Sequence, residues 1–252
     1  MSVPPDACLA PSCSSTSLCR AHIVPQAFAS TLSGPNGHNR AVRWNGAKPA
    51  NQPLGAFDRR ILCADCDGRL GIFDEYAIRY CASLPMTGAA PTGSIFRGGS
   101  FDGARFGLAM LAILWRASVS ARAEWAEIDL GPYEAAAGEA LFDTADLASL
   151  PQLEIVLMRY ASSEHDARKF IFNPLRIRSG NLNVFVWGVG GFQVLAKVDK
   201  RPFDPSLRPY VVNGALALIV PHVRLEDSAE FAFMVEAAKA ERSRSGAERS
   251  RR

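Results

Sequence analysis

"ILCADCDGRLGIFDEYA", Ile61 to Ala77, places Cys63 and Cys66 two residues apart at the opening of a helix. About fifty residues upstream, "MSVPPDACLAPSC" carries Cys8 and Cys13, separated by four. Two close cysteine pairs joined by a long connection are the pattern of a tetrahedral zinc site with four thiolate ligands, because each pair occupies a tight turn and the intervening chain brings the turns together. The "CADC" pair has the tighter spacing, and Cys19 is an alternative ligand in place of Cys8 or Cys13. The bland alternative is that these cysteines are small buried apolar residues. Cys81, in "IRYCASLP", falls outside the pattern and is expected in the core. The first hundred residues are rich in Gly, Pro, Ser and Asn, and need something besides an apolar core to order them. A structural zinc contributes on the order of 10 kcal/mol in small peptides, which is enough for that purpose.

Between the two pairs lies "SLCRAHIVPQAF", Ser17 to Phe28, with His22 inside a short apolar run. His22 reads as a buried structural residue, a metal ligand or a base. Together, the paired cysteines, "AHIVP" and the helix-opening "LCADCD" resemble the HNH family of nucleases, whose core is a zinc-stapled ββα-metal finger. The likeness covers Cys8 to about Tyr80. It implies that His22 is the general base. Asp58, in "FDRRILC", stands where the family carries an asparagine, and Asp67 stands where it carries its last histidine. Ala21 occupies a position where many members carry a metal-binding residue. The resemblance therefore implies a catalytic divalent ion, Mg²⁺ or Mn²⁺, held by Asp67 with water completing its shell.

Phosphodiester hydrolysis needs a base, and a neutral imidazole suits that task near pH 7. It also needs a cation where charge grows on the phosphoryl and leaving oxygens. In this reading Asp58 holds the second ring nitrogen of His22 or else orients its loop. Arg40, Arg43, Arg59, Arg60 and Arg69 are the candidate phosphate contacts. Asp58 also suits a turn, and Asp67 a helix cap. Glu75 is eight residues beyond Asp67, about 12 Å along a helix, too far to share its ion. His38, in "GPNGHNR", is a loop alternative for the missing ligand, whereas His165 and His222 have no partners visible in sequence.

The rest of the chain reads as an α+β protein. Its 252 residues, 48% of them hydrophobic, bury a substantial core as one large unit or two modest ones. The apolar run "FGLAMLAILW", Phe106 to Trp115, lies between Arg105 and Arg116; ten residues fall short of roughly 30 Å of hydrocarbon, so a core helix is expected and no membrane span. A second helix is expected in "PYEAAAGEALFDTADLASL", with Pro132 in its first turn. Beyond Pro151, "LEIVLMRYA", "KFIFNPLRIR", "NVFVWGVGGFQVLAKV" and "YVVNGALALIV" read as the strands of a C-terminal antiparallel sheet. "GVGG" is a hairpin break, since no helix or phosphate-binding lysine follows it. A last helix is expected over about 227–240. The organisation is a zinc-bound HNH-like module over 1–82, helices and sheet over 83–240, and a basic disordered tail over 241–252.

The formal net charge of +3 matches the last twelve residues, which hold five arginines and two glutamates, so the body is neutral. Such a tail attracts nucleic acid or is simply solvated. With no basic stretch and apolar region at the start to mark export, a soluble cytoplasmic protein is expected. The leading functional expectation is a metal-dependent, HNH-like endonuclease that cuts DNA, in a context such as bacterial phage defence. The C-terminal part would then position substrate, form a homo-oligomer or bind a protein partner. The second is a non-catalytic zinc module that binds nucleic acid or protein, and the third a thiol function for Cys19.

Overall fold

Local sequence pattern accounts for most of the elements. In the computed structural model, which describes residues 7–30, 40–41, 50–51 and 55–249, the N-terminal strands are two residues long. β1 (Ala21–His22) is followed by helix α1 (Gln26–Ser30), and β2 (Arg40–Ala41) pairs with β3 (Ala50–Asn51). β4 (Phe57–Asp58) returns to pair antiparallel with β1, setting His22 opposite Phe57 and Ala21 opposite Asp58. Helix α2 (Ala64–Ser83) then starts at the second cysteine pair.

β5 (Ile95–Ser100) leads into α3 (Gly103–Val119), whose Asp102 cap accepts a hydrogen bond from the Arg105 amide at 2.9 Å. Such a cap satisfies one of the amides that a helix start leaves without a partner. α3 contains the expected apolar run and is buried almost all round. The helical reading of the next segment yields α4 (Glu134–Phe142) between short 3₁₀ turns, the first of which carries Pro132.

The sheet corrects one expectation. β6 (Leu153–Ala161), β7 (Phe172–Ser179), β8 (Leu182–Val189) and β9 (Phe192–Val198) pair antiparallel as read from the sequence. β10 (Ala217–Arg224), however, runs parallel to β6, and β5 adds beyond it, giving a mixed six-stranded sheet ordered β5-β10-β6-β9-β8-β7. The reason lies in the segment after β9, which is too long for a hairpin. It crosses β6 to reach the far side, pinned where Asn213 accepts from the Ile155 amide at 2.9 Å and donates to the Leu153 carbonyl at 3.0 Å. Parallel neighbours require such a crossover.

One contiguous buried cluster runs from Cys8 through α2, α3 and α4 to Val220, so α3 is shared between the cysteine region and the sheet. Cys81 is buried in it, as expected. The last helix, α5 (Ala229–Arg249), extends well into the segment expected to be a disordered tail. Among the described residues, no helix is long and apolar enough to cross a membrane.

Candidate metal centre and the surroundings of His22

Two turns build the cysteine cluster. In the first, Ser12 adopts a left-handed φ of 59° and the Cys13 amide donates to the Ala10 carbonyl at 3.2 Å. In the second, Cys63 is the residue before α2, and its carbonyl accepts from the Asp67 amide at 2.9 Å. Backbone bonds from Leu9 to Ile61 and from Cys19 to Leu62 hold the turns against each other. The sulfur atoms of Cys8, Cys13, Cys63 and Cys66 all lie within 4.8 Å of one another, a group able to hold a metal ion. Cys13 and Cys63 are 3.9 Å apart, close to the roughly 3.8 Å that two sulfurs span on a tetrahedral ion with bonds of about 2.3 Å. The Cys63 amide also donates to the Cys8 sulfur at 3.4 Å. Cys19 is not one of the four.

The electrostatics are uneven. The Cys66 amide, at the start of α2, brings the Cys63 thiol down to about 7, while burial pushes Cys8 and Cys66 up. Burial, together with the negative charge of Asp67, raises Cys19 as well. Holding all four as thiolates would need a cation to share their charge.

His22 sits on β1, half-buried, its ring steeply inclined to the Phe57 ring with the two centroids 6.1 Å apart. Its Nε2 is buried and has no hydrogen-bond partner among the described residues. Burial lowers its pKa first, and the nearby Arg20 and Arg116 add to the effect, so the imidazole is neutral at pH 7.

Asp58 does not hold the His22 ring. The strand register puts Asp58 opposite Ala21, and facing residues in an antiparallel pair share a side of the strands, so the Asp58 carboxylate lies on the side away from His22. It accepts from the Arg60 amide at 2.9 Å and from the Ser120 hydroxyl at 2.7 Å, which orients the loop after β4 instead. Asp67 lies in the first turn of α2. It does not serve as the helix cap; that position belongs to Cys63, and among the described residues no hydrogen bond reaches the Asp67 carboxyl. Burial raises its pKa and Arg116 partly opposes this. Arg116 is thus common to the surroundings of His22 and Asp67.

Arg116 was legible only as a boundary of the apolar run. It is almost fully buried on α3, donating from Nη1 to the His22 carbonyl at 2.7 Å and from Nη2 to Asp74 Oδ2 at 2.5 Å. Asp74 follows Asp67 by seven residues, two helical turns, and that spacing on one face of α2 was its available signal.

The candidate phosphate contacts diverge. Arg59 and Arg60 are exposed beside β4. Arg69 is committed elsewhere: its guanidinium donates to the Phe142 carbonyl and lies 5.5 Å from the Phe142 ring, so it caps the end of α4. The Arg40 side chain, Arg43 and His38 lie outside the described residues. Two arginines missed in the sequence join Arg59 around Phe57: Arg20 at 3.7 Å from the ring centroid and Arg122 at 5.9 Å, with Arg59 also at 5.9 Å.

Comparison of the chain with protein-family models, with curated proteins and with solved structures returns no match.

Proposed function

We propose that this chain is an HNH-like endonuclease that hydrolyses phosphodiester bonds in DNA, with zinc on Cys8, Cys13, Cys63 and Cys66. The supporting observation is the convergence of the four sulfurs within 4.8 Å, which ties the β1–β4 pair to the start of α2, so that a neutral His22 and Asp67 both border Arg116. A set of four sulfurs suits zinc, a borderline-soft ion that takes tetrahedral thiolate sites.

The fit to a second, catalytic ion is partial. Among the described residues, the four cysteines are the only convergent group of three or more histidine, cysteine or carboxylate donors. Mg²⁺ or Mn²⁺ at Asp67 would have one protein ligand and take the rest from water, an arrangement Mg²⁺ accepts. Such an ion supplies positive charge to the phosphoryl and leaving oxygens. Within the chain itself, His22 is the base for the attacking water: its buried Nε2 has no hydrogen-bond partner among the described residues, and the proton would go there once substrate and water enter the site. Arg116 fixes the strand that carries it by binding the His22 carbonyl. Asp58 and Ser120 shape the loop that presents Arg59 and Arg60 to flanking phosphates.

A second reading, a zinc-held module that binds nucleic acid without cutting it, is favoured by Ala21, which is fully buried where a ligand would be needed. Plasmid nicking with Mg²⁺ or Mn²⁺ separates the two. The wild type nicks, and His22→Ala slows nicking by about 100-fold or more, the range of a lost general base. Equal cutting by both proteins removes His22 from the mechanism, and no cutting by either leaves the binding module.

A further inference from the structure

We propose that Arg20, Arg59 and Arg122 form a subsite for a phosphodiester group of a nucleic-acid backbone, gathered on the Phe57 ring beside His22. The three guanidinium groups come from separate parts of the chain: just before β1, just after β4, and ahead of the turn at Ala123–Trp125. All three meet one ring, at 3.7, 5.9 and 5.9 Å from its centroid. The assembly is held in register, because Arg122 Nη1 donates to the Phe57 carbonyl at 2.8 Å and β4 is paired with β1.

Charge is what makes this cluster unusual. Only Arg122 has a carboxylate, Glu124 at 3.1 Å; Arg20 and Arg59 have no ion pair among the described residues. Arg20 Nε is also buried with no hydrogen-bond partner among the described residues. Three guanidinium groups around one ring repel; Glu124 offsets the charge of Arg122, and contact with the aromatic ring offsets only part of the cost left by Arg20 and Arg59. An anion with several oxygens relieves the repulsion. The planar fork of the guanidinium matches phosphate oxygens in pairs. Edge contact between Phe57 and His22 at 6.1 Å then puts the bound phosphodiester next to the imidazole. Only that alignment rests on the nuclease reading; the anion subsite stands without it.

The test is duplex DNA binding by the full zinc-loaded chain without added Mg²⁺, followed by fluorescence anisotropy across a salt series. Arg20→Gln/Arg59→Gln should weaken binding about tenfold or more at low salt. It should also flatten the plot of log affinity against log salt by about two, since each phosphate contact contributes roughly 0.9. Arg20→Lys/Arg59→Lys should keep most of that slope, and it guards against a Gln variant that loses affinity by misfolding. Inorganic phosphate and a mononucleotide are run as competitors. An unchanged slope in the Gln variant overturns the proposal, as does a wild type that binds no duplex, or free phosphate that binds as tightly as the duplex. A wild type that binds DNA through these arginines and never cuts it supports the subsite and defeats only the nuclease reading.

Discussion

The cysteine-held region and the six-stranded sheet each enclose a buried arginine, and the two are satisfied differently. On β6, Arg159 gives Nε to the Thr87 hydroxyl at 3.0 Å, Nη1 to the Gly190 and Gly191 carbonyls at 3.2 Å, and Nη2 to the Pro85 carbonyl at 3.0 Å. Its guanidinium lies 5.3 Å from the Phe96 ring and 4.7 Å from the Phe192 ring. Each nitrogen has a neutral partner. Arg116 instead faces a carboxylate and the backbone of β1, while its Nε and Asp74 Oδ1 are buried without partners among the described residues. Partly satisfied buried polar groups cost stability, and this pair lies against the strand that carries His22. The sheet arginine is fully used as scaffold; the one beside the cysteine region is left with a buried nitrogen unpaired among the described residues.

Metal removal is expected to separate the two regions most strongly. With a chelator, or in Cys66→Ser, the ordering lost is on the order of 10 kcal/mol if the site behaves as structural zinc does in small peptides. Hydrogen exchange should then show loss of amide protection over residues 7–30 and 55–83, with β6, β8 and β9 still protected. Simultaneous loss across the sheet would mean that the shared core melts as one unit, and the contrast would disappear.

The arginines themselves give the next largest effect. Arg116→Met leaves Asp74 buried without its cation and should cost about 3–5 kcal/mol in urea unfolding. The double variant Arg116→Met/Asp74→Leu should recover most of that loss, because an apolar pair of similar size replaces a buried ion pair at little cost. Arg159→Met has no carboxylate to remove alongside it, so no such rescue is available. A double variant as unstable as Arg116→Met alone would show that the pair is not the source of the cost.

Where the sheet meets α2, a smaller effect is expected. Gly190 has a φ of +60°, and a Cβ there would lie 2.5 Å from Cys81 Sγ. Gly190→Ala should cost about 1–3 kcal/mol through strain and overpacking, seen as a lower melting temperature. Cys81→Ala should return only part of the packing cost, because the Cβ at position 81, 2.9 Å from the new Cβ, and Phe28 Cε1, at 3.1 Å, remain, and the backbone part is untouched.

What could be read from sequence was local. The cysteine pairs announce themselves by spacing, α3 by an apolar run, and β6 by a mostly apolar nine-residue run with Ile155, Val156 and Tyr160 in it. The position of β10 beside β6 could not be read, since a strand's neighbour depends on where a long crossover lands rather than on its own residues. The partner of Asp58 is Ser120, more than sixty residues away, and no spacing rule reaches that far. Arg69 looked like a phosphate contact because it follows "CADCDG", yet the nearby end of α4 takes its donor. Arg116 shows the general difficulty: a charge at the edge of an apolar run reads as a boundary until a carboxylate on another helix is found opposite it.

The smallest expected effect concerns the proton on His22. Burial and the two neighbouring arginines lower its folded pKa below the ordinary value of about 6.5, so the unfolded chain binds more protons between those two values. Stability should therefore rise with pH through that window and fall as the solution is acidified from about 6.5 towards the lowered value. Asp67 acts in the opposite sense, because burial raises its carboxyl and makes its contribution weaken as pH rises through a range that begins near the ordinary carboxylate value. The two windows are separable by following the His22 ring protons directly by NMR. Their midpoint should lie below 6.5 and should move upward in Arg20→Gln, which removes one of the two positive charges. A midpoint at or above 6.5 would mean that neither burial nor the arginines around β1 control the imidazole, and the contrast between a partly satisfied region and a fully satisfied sheet would lose its electrostatic basis.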